Sequence, residues 1–292
     1  MKTNRFLKST TILMIAAIAV VSSCNDEERI TLKDTQDITE EALTDSYFQD
    51  MDDMAGVAVQ ADAATAGGRV ASGARSITVQ DDRFNCSGIV ISIEPDAAST
   101  QEVPKGKITV DFGTTGCTDV RGNVRTGKLI FTYNGRRFIP GSTVVTTSEN
   151  YTINSVKLEG TRTLTNVSGS TADAPRFNIK LQNGKATFVD GTTATRTSDI
   201  TTQWVRATSP VNDKLLIEQS STASGTTRGG RTYAVSLLAA LEFKRACGMA
   251  VTGIKKYVID GDKEITINYG DGTCDKSVTI TVNGVTRNLQ VN

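Results

Sequence analysis

The 292-residue sequence contains no histidine, only one tryptophan and five prolines, and aromatic residues make up only 5% of it. Without histidine the chain cannot form a Ser-His-Asp triad, an imidazole metal site or a histidine acid–base pair. It also lacks G-x-S-x-G, G-x-G-x-x-G and phosphate-loop sequences. We therefore predict that the protein is not an enzyme and has no cofactor, although catalysis of carbohydrate chemistry by paired carboxylates stays open.

The sequence also lacks any excess of one charge, because 32 basic residues balance 32 acidic ones. The acids are concentrated between Asp26 and Asp53, where only Arg29 and Lys33 oppose them. The rest of the chain is mildly basic, but its lysines and arginines are dispersed and few aromatics lie among them. This pattern predicts no nucleic-acid partner.

The N-terminus begins with a cationic segment, Lys2 to Lys8, and continues with an apolar run of about eleven residues at 11–21. The run is shorter than the roughly 20 residues that a membrane-spanning helix needs. A positive head, a short apolar middle and small residues at the exit are typical of a secretory signal peptide, here residues 1–23.

The signal peptide ends in Val21-Ser22-Ser23-Cys24, which resembles the lipobox cut by lipoprotein signal peptidase. The resemblance implies that Cys24 becomes the first mature residue and carries thioether and amide-linked acyl chains such as palmitate. Each buried methylene adds about 0.8 kcal/mol, so two or three chains give a long-lived membrane anchor. The predicted partner is therefore a membrane, reached through Cys24.

Acidic residues follow the cysteine at once. Asn25-Asp26-Glu27-Glu28 resembles the tag found after the acylated cysteine in lipoproteins of Bacteroidetes type, where it implies export to the outer face of the outer membrane. The alternative is a solvated tether on a protein that faces the periplasm. Residues 24–36 are predicted to form this acidic tether.

Residues 37–68 are predicted to form an amphipathic helix and a linker. Asp37 is a plausible N-cap with Glu40 three places on, in the manner of a capping box. Gly67-Gly68 ends the pattern. Apolar residues recur at three- and four-residue spacing, which is typical of a packing face: Leu43, Tyr47, Met51, Met54 and Ala58.

Residues 69–292 are predicted to form a mainly β domain, a large antiparallel up-and-down sheet or sandwich of about a dozen strands. Apolar residues alternate with polar ones, most extensively from Tyr233 to Phe243. The prolines lie between these alternating runs. Likely hairpin tips follow from glycine pairs and Asn-Gly or Asp-Gly dipeptides: Asn134-Gly135, Asn183-Gly184, Gly229-Gly230, Asp260-Gly261 and Asn283-Gly284.

Two segments of this domain read alike, residues 86–135 and 247–284. Each has a cysteine, an alternating stretch, the sequence Ile-Thr-x-x-aromatic-Gly, a second cysteine, another alternating stretch and Asn-Gly. An even number of cysteines in an exported chain suggests disulfides. If the internal repeat is real, symmetry predicts the pairs Cys86–Cys117 and Cys247–Cys274.

Two further features have both a structural and a functional interpretation. The turn "NYGDGTCD" offers Asn268, Asp271 and Asp275 as oxygen ligands for calcium, but Asp-Gly is first of all a turn former. Trp204 could be a core residue or a platform for a ligand.

The region from about residue 75 to 292 resembles a group of uncharacterised Bacteroidetes lipoproteins of the outer membrane. The likeness is carried by "ITVDFGTTGC", "VKLEGTRTLTN", "TRGGRTYAVSL" and "INYGDGTCD". It implies lipid anchoring and a β-rich exported domain, and it implies no activity. We expect a non-catalytic binding or display module at the cell surface. The alternative is an envelope carrier that holds an apolar ligand against a curved sheet.

Overall fold

The computed structural model describes residues 31–62, 73–167, 169–244, 247 and 249–290. The predicted signal peptide, Cys24 and Gly67-Gly68 lie outside these residues. The chain divides into two compact units. We call residues 47–199 the middle unit, and the described residues of 31–46 and 200–290 the terminal unit.

The single long helix, α1, spans Leu32–Ala61. Its N-cap is Thr31: the Thr31 backbone N–H donates to Asp34 Oδ2 over 2.8 Å, and the Asp34 N–H donates to Thr31 Oγ1 over 3.2 Å. This reciprocal pair is a capping box. The predicted cap at Asp37 is therefore wrong, six residues too late in the chain, and residues 32–36 of the predicted tether are helical. None of the described helices is long and apolar enough to cross a membrane.

The rest of the described chain is mainly strand. Two short 3-10 helices lie at Asp82–Phe84 and Pro210–Asn212. The strands are β1 (Arg75–Ser76), β2 (Val90–Pro95), β3 (Lys105–Asp111), β4 (Cys117–Thr118), β5 (Val124–Asn134), β6 (Thr143–Ile153), β7 (Val156–Asn166), β8 (Arg176–Thr187), β9 (Thr193–Val205), β10 (Lys214–Ile217), β11 (Thr222–Thr226), β12 (Thr232–Lys244), β13 (Ala250–Ile259), β14 (Lys263–Asp271), β15 (Ser277–Val282) and β16 (Val285–Gln290).

These 16 strands form one antiparallel sheet in which neighbours follow chain order. Two short strands depart from that path, since β4 pairs with β5, and β11 pairs with β12 and β9. The predicted mainly β, up-and-down architecture with one N-terminal helix is confirmed, as a single sheet. The strand number exceeds the predicted dozen partly because two-residue strands such as β1 and β4 leave no alternation in the sequence.

Glycine dipeptides form turns at four of the predicted positions, either in a tight hairpin or in the connection after a strand. Asn283 and Gly284, with φ of 45° and 86°, form the two-residue connection between β15 and β16. Asn183-Gly184, by contrast, lies inside β8, opposite an irregularity of β7 at Gly160. A Cβ on Gly160 would lie 2.9 Å from the Gly184 Cα. The dipeptide therefore allows two strands to approach closely, and the predicted hairpin tip there is wrong.

Each unit has its own apolar core on the sheet face that α1 covers. In the middle unit Phe48, Met51 and Met54 of the helix pack in one buried cluster with residues such as Ile108 and Phe131. In the terminal unit Ile38 packs with strand residues including Tyr233, Val235, Tyr257, Ile265 and Ile280. The alternating positions predicted from the sequence supply most of the sheet side of both cores.

Candidate functional site

The two related segments of the sequence form the same arrangement, one in each unit. In each, a cysteine precedes two adjacent antiparallel strands, a second cysteine follows them, and a third strand pairs next to the second. The first segment uses β2, β3 and β5, and the second uses β13, β14 and β15. Disulfides join Cys86 to Cys117 and Cys247 to Cys274, the pairing that the repeat predicts.

The shared sequence Ile-Thr-x-x-aromatic-Gly also has one geometry in both copies. Asp111 Oδ1 accepts the Gly113 N–H over 2.9 Å, and Asn268 Oδ1 accepts the Gly270 N–H over 3.0 Å. Both glycines have positive φ, 72° and 95°. The motif is thus an Asx turn, at the end of β3 in the first copy and within the last residues of β14 in the second, which explains its residue types without a ligand.

The same hydrogen bonds decide how we interpret the possible calcium turn. Asp271 Oδ1 accepts from the N–H and hydroxyl of Thr273 over 3.1 and 3.0 Å, and Asp275 Oδ1 accepts the Ser277 N–H over 2.9 Å. These bonds lower the pKa of Asp271. In the part of the chain that the structure describes, no cluster of three or more histidine, cysteine, aspartate or glutamate residues could hold a metal ion. We assign these side chains to turn formation.

The middle unit contains a set of buried ion pairs between acids of the helix and arginines of the strands. Arg125, which is 1% exposed, donates to Asp50 over 2.6 Å and also contacts Asp119. Arg162 donates from Nε to Asp52 over 2.7 Å. Removal of either partner would leave an uncompensated buried charge, a defect that costs about 3–5 kcal/mol.

Asp53, on the same stretch of helix, differs from its neighbours. Burial raises the pKa of Asp53 to about 7; the Arg83 guanidinium opposes this rise, and the nearby Asp50 and Asp52 add to it. Its carboxylate lies 3.5 Å from Arg83 Nη1, a longer separation than in the Arg125–Asp50 and Arg162–Asp52 pairs. Perturbed carboxyls mark either active sites or structural charge networks. Here the packed helix face favours the structural role.

In the terminal unit the helix is also held through its acids. Asp34 is fully buried and accepts from Arg231 over 2.8 Å and from Lys263 over 2.5 Å. Asp37 accepts from Arg231 Nε over 2.6 Å. Glu41 accepts the Tyr257 hydroxyl over 3.0 Å. The acidic N-terminal segment therefore packs against a basic strand end, a contact that composition alone does not reveal.

The pKa of Asp34 reports how strong these contacts are. Burial alone would raise it, but hydrogen bonds from Lys263, Thr31 and Arg231 outweigh burial and lower the pKa to about 2. Asp34 is thus held ionised, whereas burial favours the protonated form of Asp53. Both groups are occupied in securing α1.

A half-buried apolar strip lies in the terminal unit, at the end of the sheet where β9 stops, and one of its residues, Phe243, packs against the buried residues Leu237, Leu241 and Ala250. Trp204 is in register with Leu215 of β10, and Leu215 is in register with Phe243 of β12. Cross-strand neighbours lie on one face of a sheet. All three side chains are half-buried. We call these three residues the Trp204 row.

Trp204 is held rigidly within this row. Its indole N–H donates to Asp213 Oδ2 over 3.2 Å, and the other Asp213 oxygen accepts the Ala207 N–H over 2.7 Å. The Arg206 guanidinium lies 4.6 Å from the indole centroid. The Trp204 row is therefore a fixed apolar strip with the Arg206 cation stacked over its indole. The single tryptophan was the only sequence signal for it.

A shallow depression lies nearby on the same unit, beside the Cys247–Cys274 disulfide. It is a surface dip and not an enclosed cavity. Met249, Ala250 and Tyr269 line it together with the two cysteines. Ala250 is the register partner of Phe243, so the depression adjoins the Trp204 row.

Comparison of the chain with protein-family models, curated proteins and solved structures finds no match.

Proposed function

We propose that the protein is a lipid-anchored lipoprotein of the outer membrane that faces the cell exterior and acts as a non-catalytic binding or display module. The sequence support is the lipobox that ends at Cys24 and the acidic tag that follows it. The absence of histidine supports a non-catalytic role.

The structural observation that carries the proposal is that the chain's own helix covers the sheet face in each unit. Apolar side chains and paired acids of α1 occupy the places that a carried ligand would take. A filled, disulfide-stapled scaffold suits display, because its partners would meet a rigid surface. The Trp204 row is the strip we propose for that contact.

Lipid attachment and exposure can be tested together in intact cells. Cells that express the full chain are labelled with an alkyne analogue of palmitate, and we expect the label on the wild type and none on Cys24→Ala. Protease added outside the cells should release the wild-type domain. A variant with Asp26→Asn, Glu27→Gln and Glu28→Gln serves as the matched control, and we expect it to be labelled but protected from protease. An unlabelled wild type would overturn the proposal.

The binding role is tested on the purified soluble domain with a glycan array. We expect Trp204→Ala to lose binding at least about tenfold while Trp204→Phe keeps part of it. Leu238→Ala, which truncates an apolar side chain that is 49% exposed elsewhere on the unit, is the control. Equal binding by Trp204→Ala would remove the Trp204 row from the proposal. Lipid that co-purifies with the domain would favour the carrier instead, since the helix would then have to leave the sheet.

A further inference from the structure

The link between the predicted anchor at Cys24 and the folded domain is shorter than the predicted tether of residues 24–36, because the helix begins earlier. Helix α1 begins at Leu32, and its cap at Thr31 is fixed by the hydrogen bonds with Asp34. Seven residue steps separate Cys24 from Thr31. Fully extended, they span at most about 25 Å. The start of the helix must therefore stay within this distance of the anchoring cysteine.

One end of the terminal unit surrounds the start of the helix. Arg231 and Lys263 pair with Asp34. Arg231 lies directly before β12, and Lys263 is the first residue of β14. The neighbouring turn is joined to them, since the Asn283 N–H donates to the Glu264 carbonyl over 3.3 Å. We call the three turns at residues 227–231, 260–262 and 283–284 the helix-start end.

The Trp204 row lies at the opposite end of the same strands. Strand β14 runs nine residues away from the helix-start end, a length of about 27 Å. Phe243 and Lys244 end β12 on that side, and Lys244 is in register with Lys214 of β10. The loop at residues 206–213, between β9 and β10, belongs to the same end.

We infer that the helix-start end faces the phospholipid headgroups of the membrane and that the Trp204 row faces away from it. This inference rests on the proposed lipid attachment at Cys24. A turned-over unit would hold Thr31 about 27 Å from the headgroups, at the limit of a fully extended link of about 25 Å, so the link disfavours an orientation with the Trp204 row towards the membrane.

The chemistry of the helix-start end indicates that the link, and not attraction to lipid, keeps it there. The cations of this end are already paired, Arg231 and Lys263 with Asp34 and Asp37, and Arg228 with Glu40 at 4.0 Å. Asp260 and Asp262 are exposed. Anionic headgroups would gain little from this surface. The chain without its acyl groups should therefore not bind vesicles, whether zwitterionic or anionic.

The test uses the acylated full chain in phosphatidylcholine vesicles that contain a headgroup-nitroxide lipid. A fluorophore is placed by Asp262→Cys at the helix-start end or by Thr208→Cys in the loop at the other end; both positions are exposed. We expect quenching at 262 to exceed quenching at 208 by at least about threefold. Equal quenching, or stronger quenching at 208, would overturn the inference.

A longer link provides the control. Insertion of about 20 Gly/Ser residues between Ile30 and Thr31 adds a flexible span of about 25 Å, so the difference between the two labels should shrink. Persistence of the full difference would mean that the surface itself binds lipid, which overturns the role of the link. Flotation of the vesicles is measured first, because a chain that does not float refutes the lipid attachment and, with it, the inference.

Discussion

In the middle unit the helix is held by large apolar side chains, Phe48, Met51 and Met54, with buried arginine pairs beside them. Among the described residues of the terminal unit, Ile38 is the one helix residue in the buried apolar cluster. There the main contacts of the helix are ion pairs of its acids with Arg231 and Lys255. Both halves belong to one continuous helix. The comparison teaches that a sheet can hold a helix through apolar packing or through buried ion pairs. Because the buried face of α1 contains both apolar and acidic residues, apolar spacing alone does not identify all of it.

The largest expected effect comes from the apolar half. Phe48→Ala removes a side chain that is 1% exposed and should lower the free energy of unfolding by about 3–5 kcal/mol. Leu43→Ala in the terminal unit, where the side chain is half-buried, should cost less than about 1.5 kcal/mol. Urea unfolding measures both, with the exposed Leu32→Ala as control. Similar losses at 43 and 48 would contradict the difference between the two halves.

The two disulfides occupy corresponding places in the two units, so they should contribute equally to stability. They join residues 31 and 27 positions apart, so loop-closure entropy predicts that each contributes about 3.5 kcal/mol. We expect the variant with Cys86→Ser and Cys117→Ser and the variant with Cys247→Ser and Cys274→Ser to lose similar stability. Denaturant unfolding of both variants provides the measurement. A difference above about 1 kcal/mol would show that the repeat is not energetically equivalent.

The pH dependence should separate the two charge networks. Asp53, with its pKa raised to about 7, contributes stability that is present below about pH 4 and is lost as the pH rises to 7. Asp53→Asn should therefore raise the free energy of unfolding at pH 7, on the order of 2 kcal/mol, and flatten its dependence between pH 4 and 7.

The contribution of Asp34 to stability depends on pH in the opposite direction. Its pKa is lowered to about 2, so its contribution is present above about pH 4 and is lost as the pH falls towards 2. Asp34→Asn should destabilise the chain at pH 7 and reduce the loss of stability in acid. Unfolding free energies measured from pH 2 to 8 compare the two variants. A stabilising Asp34→Asn would refute the assignment.

The smallest effect concerns the start of the helix. Thr31→Ala removes the cap and should cost about 1 kcal/mol. Gln36→Ala, at an exposed helical position, is the control and should change stability by less than about 0.5 kcal/mol. Urea unfolding again measures both. No loss at Thr31 would return the cap to a later residue and lengthen the link to Cys24.

The sequence by itself determined the period-two strands, the one N-terminal helix and the pairing of the cysteines. Each of these depends on local alternation, or on the order of features that repeat along the chain, as in "ITVDFG" and "ITINYG". Local chemistry also predicted tight turns such as Asn283-Gly284, because positive φ favours those two residues.

Only the tertiary structure decided where the helix starts, what Asn183-Gly184 does and which face Trp204 occupies. Thr31 with Asp34 and Asp37 with Glu40 offer caps of the same spacing, and only the first leaves Asp34 and Asp37 within the helix to meet Arg231 and Lys263. Asn-Gly suits both a hairpin turn and the close approach of two paired strands. Register across β9, β10 and β12 places Trp204 beside Leu215 and Phe243. These outcomes depend on partners distant along the chain, which local sequence patterns do not encode.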